Sequence, residues 1–144
     1  MSLFDLIFRP KKNKEEKKAL EDKAQELKGF ITFVKESLGE QVKEVRLSAD
    51  LGAHPVAIVP EAGMSFEMEK YMKRMNPEFD FPTERILELN TDHEAVKALQ
   101  STMTADPVLA KDYAQLLYSQ ALLLAELPLE DPAAYTELVC KLMR

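Results

Sequence analysis

The chain has 144 residues, 46% of them apolar and 31% charged, with a formal net charge of -6 and a single cysteine. These values fit one folded domain and exclude general disorder, and the acidic balance opposes binding to nucleic acid. One cysteine cannot form an intramolecular disulfide and fits a reducing, cytoplasmic setting, while no apolar run reaches the roughly 20 residues that a membrane span requires.

Residues 1–14 differ in character from the rest of the chain. Leu3, Phe4, Leu6, Ile7 and Phe8 form a short apolar patch, and Arg9-Pro-Lys-Lys-Asn-Lys14 is basic. A secretory signal runs in the opposite order, charge first. The segment reads either as a leader or tag of unknown role or as a weak membrane-surface or partner-docking patch; a short patch without a second anchor holds membranes poorly. Residues 14–38 then read as a long helix, because Leu20, Ala24, Leu27, Ile31, Val34 and Leu38 recur at helical spacing. Its first half is nearly all charge, and Gly29 weakens the middle by up to ~1 kcal/mol relative to Ala. Residues 15–28 are therefore expected to be a charged connecting helix and 29–144 the folded domain, with Gly39 as the helix C-cap.

Three short strands are expected, at 42–47, 55–59 and 85–89, where β-branched and leucine side chains are bounded by Pro, Gly and Asp. The intervening loop 76–84 carries two prolines and two phenylalanines and reads as extended chain pinned to a core. Thr91-Asp-His-Glu94 has the form of a capping box that opens a helix running to about Met103.

Between the second and third strands, Met64, Met68, Tyr71, Met72 and Met75 share one helical face, with Glu67, Glu69, Lys70, Lys73 and Arg74 on the others. Methionine is flexible and polarizable, so such a face adapts to varied apolar partners. The plainer reading is an inward-facing core stripe.

The C-terminal part, 106–143, holds two helices, each opened by Asp-Pro: Asp106-Pro107 and Asp131-Pro132. Asp caps free N–H groups, and Pro at the first helical position forfeits a donor that had no partner. In the run Val108 to Leu127, the residues Lys111, Asp112, Gln115, Ser119 and Glu126 crowd one narrow face, with Gln120 and Leu122 breaking the sorting. Tyr113, Leu116, Leu117, Ala121, Leu123, Leu124 and Leu127 cover the remainder, roughly twice the ~100° stripe of an ordinary surface helix. The second helix adds Tyr135, Leu138, Val139 and Leu142. A helix apolar on two sides packs against two things: either a second copy of the chain or two layers of its own domain.

Catalytic chemistry finds no support. His54 and His93 lack partners at metal-ligand spacing, Cys140 reads as a small buried hydrophobe, and no phosphate-cradling loop or nucleophile motif occurs. The scattered carboxylates read as solvated helix faces. The expectation is no enzyme, no metal and no cofactor.

Several segments resemble one family. Phe33-Val-Lys-Glu-Ser-Leu-Gly-Glu-Gln-Val-Lys-Glu-Val-Arg-Leu-Ser48, His54-Pro-Val-Ala-Ile-Val59, Met64-Ser-Phe-Glu-Met68, Ile86-Leu-Glu-Leu-Asn-Thr-Asp-His93, and Leu116-Leu-Tyr-Ser-Gln-Ala-Leu-Leu-Leu-Ala-Glu126 with Leu129-Glu-Asp-Pro132 are similar, in order, to the C-terminal domain of the heat-shock protein 90 chaperones, in their bacterial form. The resemblance covers about 28–143. Strands clustered in 42–89 followed by helices only give an α+β domain, a small three-stranded sheet with packed helices, and the resemblance implies that its two C-terminal helices pair with a second copy as a four-helix-bundle dimer interface. Interface candidates are Leu116, Leu117, Leu123, Leu124, Tyr135, Leu138 and Leu142. It also implies that Met64, Met68, Tyr71, Met72 and Met75 contact non-native client proteins. The ending Lys141-Leu-Met-Arg144 lacks the acidic tail that docks tetratricopeptide co-chaperones, and the family's nucleotide and middle domains have no counterpart here, so its ATPase does not carry over. The chain is expected to be either an excised domain with a foreign leader or a naturally short protein. A purely structural dimer with the Met helix turned inward, and a peripheral membrane protein using residues 3–8, are the alternatives.

Overall fold

In the computed structural model the described residues are 18, 22, 25–61, 65–78 and 84–143. Among them, helix α1 (Lys28–Leu38) leads through a 3-10 turn (Gly39–Gln41) to strands β1 (Glu44–Leu47) and β2 (Val56–Pro60). Helix α2 (Phe66–Met75) and strand β3 (Arg85–Leu89) come next. Helices α3 (Glu94–Ala105), α4 (Pro107–Leu124) and α5 (Pro132–Leu142) close the chain. The sheet order is β1-β3-β2, with β1 parallel and β2 antiparallel to β3. The class is α+β with a small mixed sheet.

Strand register explains which side chains build the core. Val45 and Leu47 lie opposite Leu87 and Leu89, which in turn face Ile58 and Val56 across β2. All six are buried in one cluster with Phe30, Val34 and Leu38 of α1, Val96 and Leu99 of α3, and Ala110, Ala114, Leu117, Tyr118, Ala121 and Leu122 of α4. The alanines at 110, 114 and 121 let α4 lie close to α1, α3 and β2. The intervening strand positions, Arg46 opposite Glu88, point to the other face of the sheet.

Several local expectations are corrected. The helix expected over 14–38 is interrupted at Leu27, a turn residue, and α1 starts at Lys28. Its buried positions, Phe30, Val34 and Leu38, lie along an i, i+4, i+8 row. The N-cap of α3 is His93, whose Nδ1 accepts from the Ala95 amide at 3.0 Å; Thr91 does not cap but is buried. Helix α4 ends at Leu124 and does not run on to Leu127: Glu126 takes a left-handed φ of 59°, its amide bonds back to the Leu123 carbonyl, and the Leu127 amide reaches the Leu122 carbonyl at 2.9 Å. That pairing closes the helix as a Schellman motif and turns Leu127, 4% exposed, into the core. Cys140 is exposed, not buried. The Asp-Pro signals act as expected: Asp106 accepts from the Leu109 amide at 3.2 Å and Asp131 from the Ala134 amide at 3.0 Å. Among the described residues no helix is long and apolar enough to cross a membrane. The apolar patch at 3–8, the basic run at 9–14 and Met64 lie outside the described residues.

Candidate functional site

Helix α2 is built on the segment that joins β2 to β3. Ser65 caps it, its hydroxyl accepting from the Met68 amide at 3.1 Å. Glu67 and Glu69 in the first turn and Lys73 and Arg74 in the last complement the helix dipole. The helix is amphipathic, yet it sits the opposite way round from an ordinary surface helix. Met68, Tyr71 and Met75 are 49%, 50% and 68% exposed, whereas its one buried residue is Glu69. Met72 is half-buried, and Phe66 packs against the core. Glu69 faces Arg85 at the start of β3, with 3.9 Å between carboxylate and guanidinium, and Lys70 Nζ donates to the Ala125 carbonyl at 3.2 Å. Charged groups and Phe66 hold the inner edge, and Met68, Tyr71 and Met75 are presented to solvent.

The neck of this excursion is closed by charge and backbone together. The Glu61 amide donates to the Glu84 carbonyl at 3.0 Å, and the Lys43 amide to the Arg85 carbonyl at 2.7 Å. The Lys43 ammonium pairs with Glu61 and lies 3.4 Å from Glu84. Hydrogen bonding to the Glu84 carboxyl and to Lys43 pulls the Glu61 carboxyl below the usual carboxylate range, and the same contact with Glu61 pushes the Lys43 ammonium up.

The second candidate surface is the α4–α5 pair. The two helices form an antiparallel hairpin, because Lys141, near the end of α5, pairs with Asp112, near the start of α4, at 2.8 Å. A cleft of about 200 Å³ opens between them, lined on its apolar side by Tyr118, Leu122, Leu129, Ala134, Tyr135 and Leu138. Of the expected interface residues, Leu116 and Leu117 are already buried within the chain, Leu117 in the core itself. Leu123, Leu124 and Leu142 are 49%, 51% and 42% exposed, and Tyr135 and Leu138 are half-buried. Helix α5 has no buried residue at all. Leu122, which breaks the sorting of the helical wheel, lies in the core at 2% exposure.

Sequence reasoning places Glu69 and Arg85 on a solvated face and at a strand end, and misses their pairing. The signal available is slight: one carboxylate about 100° or more around α2 from Met68, Tyr71 and Met75. Among the described residues no group of three His, Cys, Asp or Glu side chains is placed to hold a metal ion.

Comparison with known proteins agrees with the motifs. The Hsp90 protein family matches residues 5–144, reaching beyond the 28–143 covered by the motifs and into the segment 1–14. The chain is similar to the chaperone protein HtpG of Clostridium acetobutylicum, with 40% identity over 131 residues, 91% of this chain and 20% of that protein. It is also similar to the HtpG chaperones of Bacillus subtilis, 35% identical over 90% of this chain and 21% of that protein, and of Alkaliphilus metalliredigens, 38% identical over 81% and 18%. The chain thus spans about a fifth of the length of these relatives. With a family match across nearly its whole length, and with that match falling on the α+β core and both candidate surfaces, the chain belongs to the Hsp90 protein family.

Proposed function

We propose that this chain is a non-catalytic dimerisation and client-contact domain of a molecular chaperone, working as part of an ATP-driven machine of the kind its HtpG relatives represent. The observation that carries the reading is the outward apolar face of α2. Three large apolar side chains stand about half or more exposed on a ten-residue helix whose charged edge faces the protein. A folded chain gains nothing in its own stability from that arrangement, whereas a surface for non-native polypeptide needs it. Methionine suits many weak contacts with irregular apolar segments. A second copy, joined through α4 and α5, brings two such faces into one assembly and raises their effective concentration for one client. The alternative, a purely structural dimer with the Met helix packed inward, is opposed by the exposure of Met68, Tyr71 and Met75.

The test is suppression of aggregation of a reduced, unfolding polypeptide such as α-lactalbumin. Replacing Met68 and Tyr71 together by Ser is expected to weaken suppression several-fold while leaving the melting temperature almost unchanged, because exposed positions shift stability by only about 0.5 kcal/mol. Unimpaired suppression, or a large fall in melting temperature, overturns the reading.

A further inference from the structure

We propose that the chain of contacts Glu69–Arg85–Tyr118 is a positioning device that fixes the rotation of α2 about its own axis, holding Met68, Tyr71 and Met75 outward and tying that orientation to α4. The inference deepens the reading of α2 as a contact surface, but it concerns which way the helix faces and not what the face binds.

At helical spacing Met68, Tyr71 and Met75 fall within an arc of about 60°, with Glu69 at least about 100° away from each of them. Left to the hydrophobic effect alone, such a helix would roll until the methionines met the body of the protein. It is held in the opposite phase by polar contacts, beside Phe66, which packs against the core from the same side. The Glu69 side chain is 9% exposed, and a carboxylate so buried needs its cation, because an uncompensated buried charge costs more than the pair returns. Arg85 is fixed in turn. Its own backbone is in the sheet opposite Pro60 of β2, its carbonyl accepts from the Lys43 amide, and its Nη1 donates to the Tyr118 hydroxyl at 3.4 Å. Tyr118, 2% exposed and part of the α4 core face, donates its hydroxyl proton to the Gln41 carbonyl at 3.3 Å. The path runs from α2 through the first residue of the central strand to α4, and ends at a tyrosine that also lines the cleft against α5. Lys70, bonded to the Ala125 carbonyl at the end of α4, gives a second fixed point on the same edge of α2. Two points on one edge of a helix define its rotation.

The experiment uses the whole chain, without any polypeptide ligand, and reads methionine oxidation by dilute hydrogen peroxide, resolved by peptide mass spectrometry. Oxidation tracks exposure, so in the native chain Met68 and Met75 are expected to react several-fold faster than half-buried Met72. In Glu69→Lys the inner edge repels Arg85, the phase of the helix is lost, and the rates of Met68 and Met72 are expected to converge. Reversing the pair, Glu69→Arg with Arg85→Glu, is expected to restore the native order. Survival of that order in Glu69→Lys, or failure of the reversal to restore it, overturns the proposal. So does a parallel loss of protection at Met103, which packs against the core, since the pair would then support the general fold and not the setting of α2. Because no client is present, failure here leaves the contact reading untouched, and failure of aggregation suppression leaves the orientation untouched.

Discussion

At the scale of single residues, Glu126 is the one non-glycine among the described residues with a positive φ. It closes α4 at a φ of 59°, a region that suits glycine and costs other L-residues about 1–2 kcal/mol. Nothing in the sequence marks this position, since Pro128 suggests a later stop and Glu is a good helix former; the turn is imposed because Leu127 has to reach the core. Glu126→Gly is therefore expected to raise stability, by up to about 1 kcal/mol once the extra freedom of glycine in the unfolded chain is subtracted. Chemical denaturation monitored by circular dichroism checks it, and a destabilised variant contradicts the strain argument. His93 shows the same effect from the other side. A Thr-x-x-Glu pattern is a good cap signal, but burial of Thr91 removes it from the role, and the imidazole two residues later takes over.

At the scale of elements, legibility tracks how strongly one face is buried. The three strands and the helices after them are readable because Val45, Leu47, Val56, Ile58, Leu87 and Leu89 alternate about a single core. Both Asp-Pro starts are readable because a cap is local chemistry. Orientation about a helix axis is not readable. The spacing of Met68, Tyr71 and Met75 gives the same wheel whether the face points in or out, and contacts distant in sequence, Glu69 with Arg85 and Lys70 with Ala125, tell the two apart. For α4, a wide apolar surface hides the fact that Leu117, Tyr118 and Leu122 serve the chain's own core while Leu123 and Leu124 do not. Helix α5 is weakly anchored, with no buried residue and an exposed cap. Removing that cap by Asp131→Ala is expected to cost about 1 kcal/mol, read as faster amide exchange in α5 alone while α3 and α4 keep their protection. Equal loosening of all three would show α5 to be integral to the core.

At the scale of the whole molecule, the exposed set Leu123, Leu124 and Leu142, beside half-buried Tyr135 and Leu138, is expected to be closed by a second copy in a symmetric helical bundle. Replacing Leu123 and Leu138 together by Glu places two charges in that seam, each carrying a desolvation penalty of several kcal/mol. Sedimentation should then show a dimer in the native chain and a monomer in the double variant. A variant that still sediments as a dimer places the interface elsewhere.

The path of the chain between β2 and β3 has a consequence for how this domain can change over time. These strands are antiparallel neighbours, and the Glu61–Glu84 hydrogen bond brings the two ends of the intervening segment together at the end of their ladder. A connection that leaves and returns at one point costs little extra entropy as it lengthens, and the strands keep their register whatever lies between them. The segment carrying α2 is thus a replaceable inset. Its apolar residues can drift toward new shapes and chemistries through successive substitutions without disturbing the sheet, provided that one acid on its inner edge still finds Arg85.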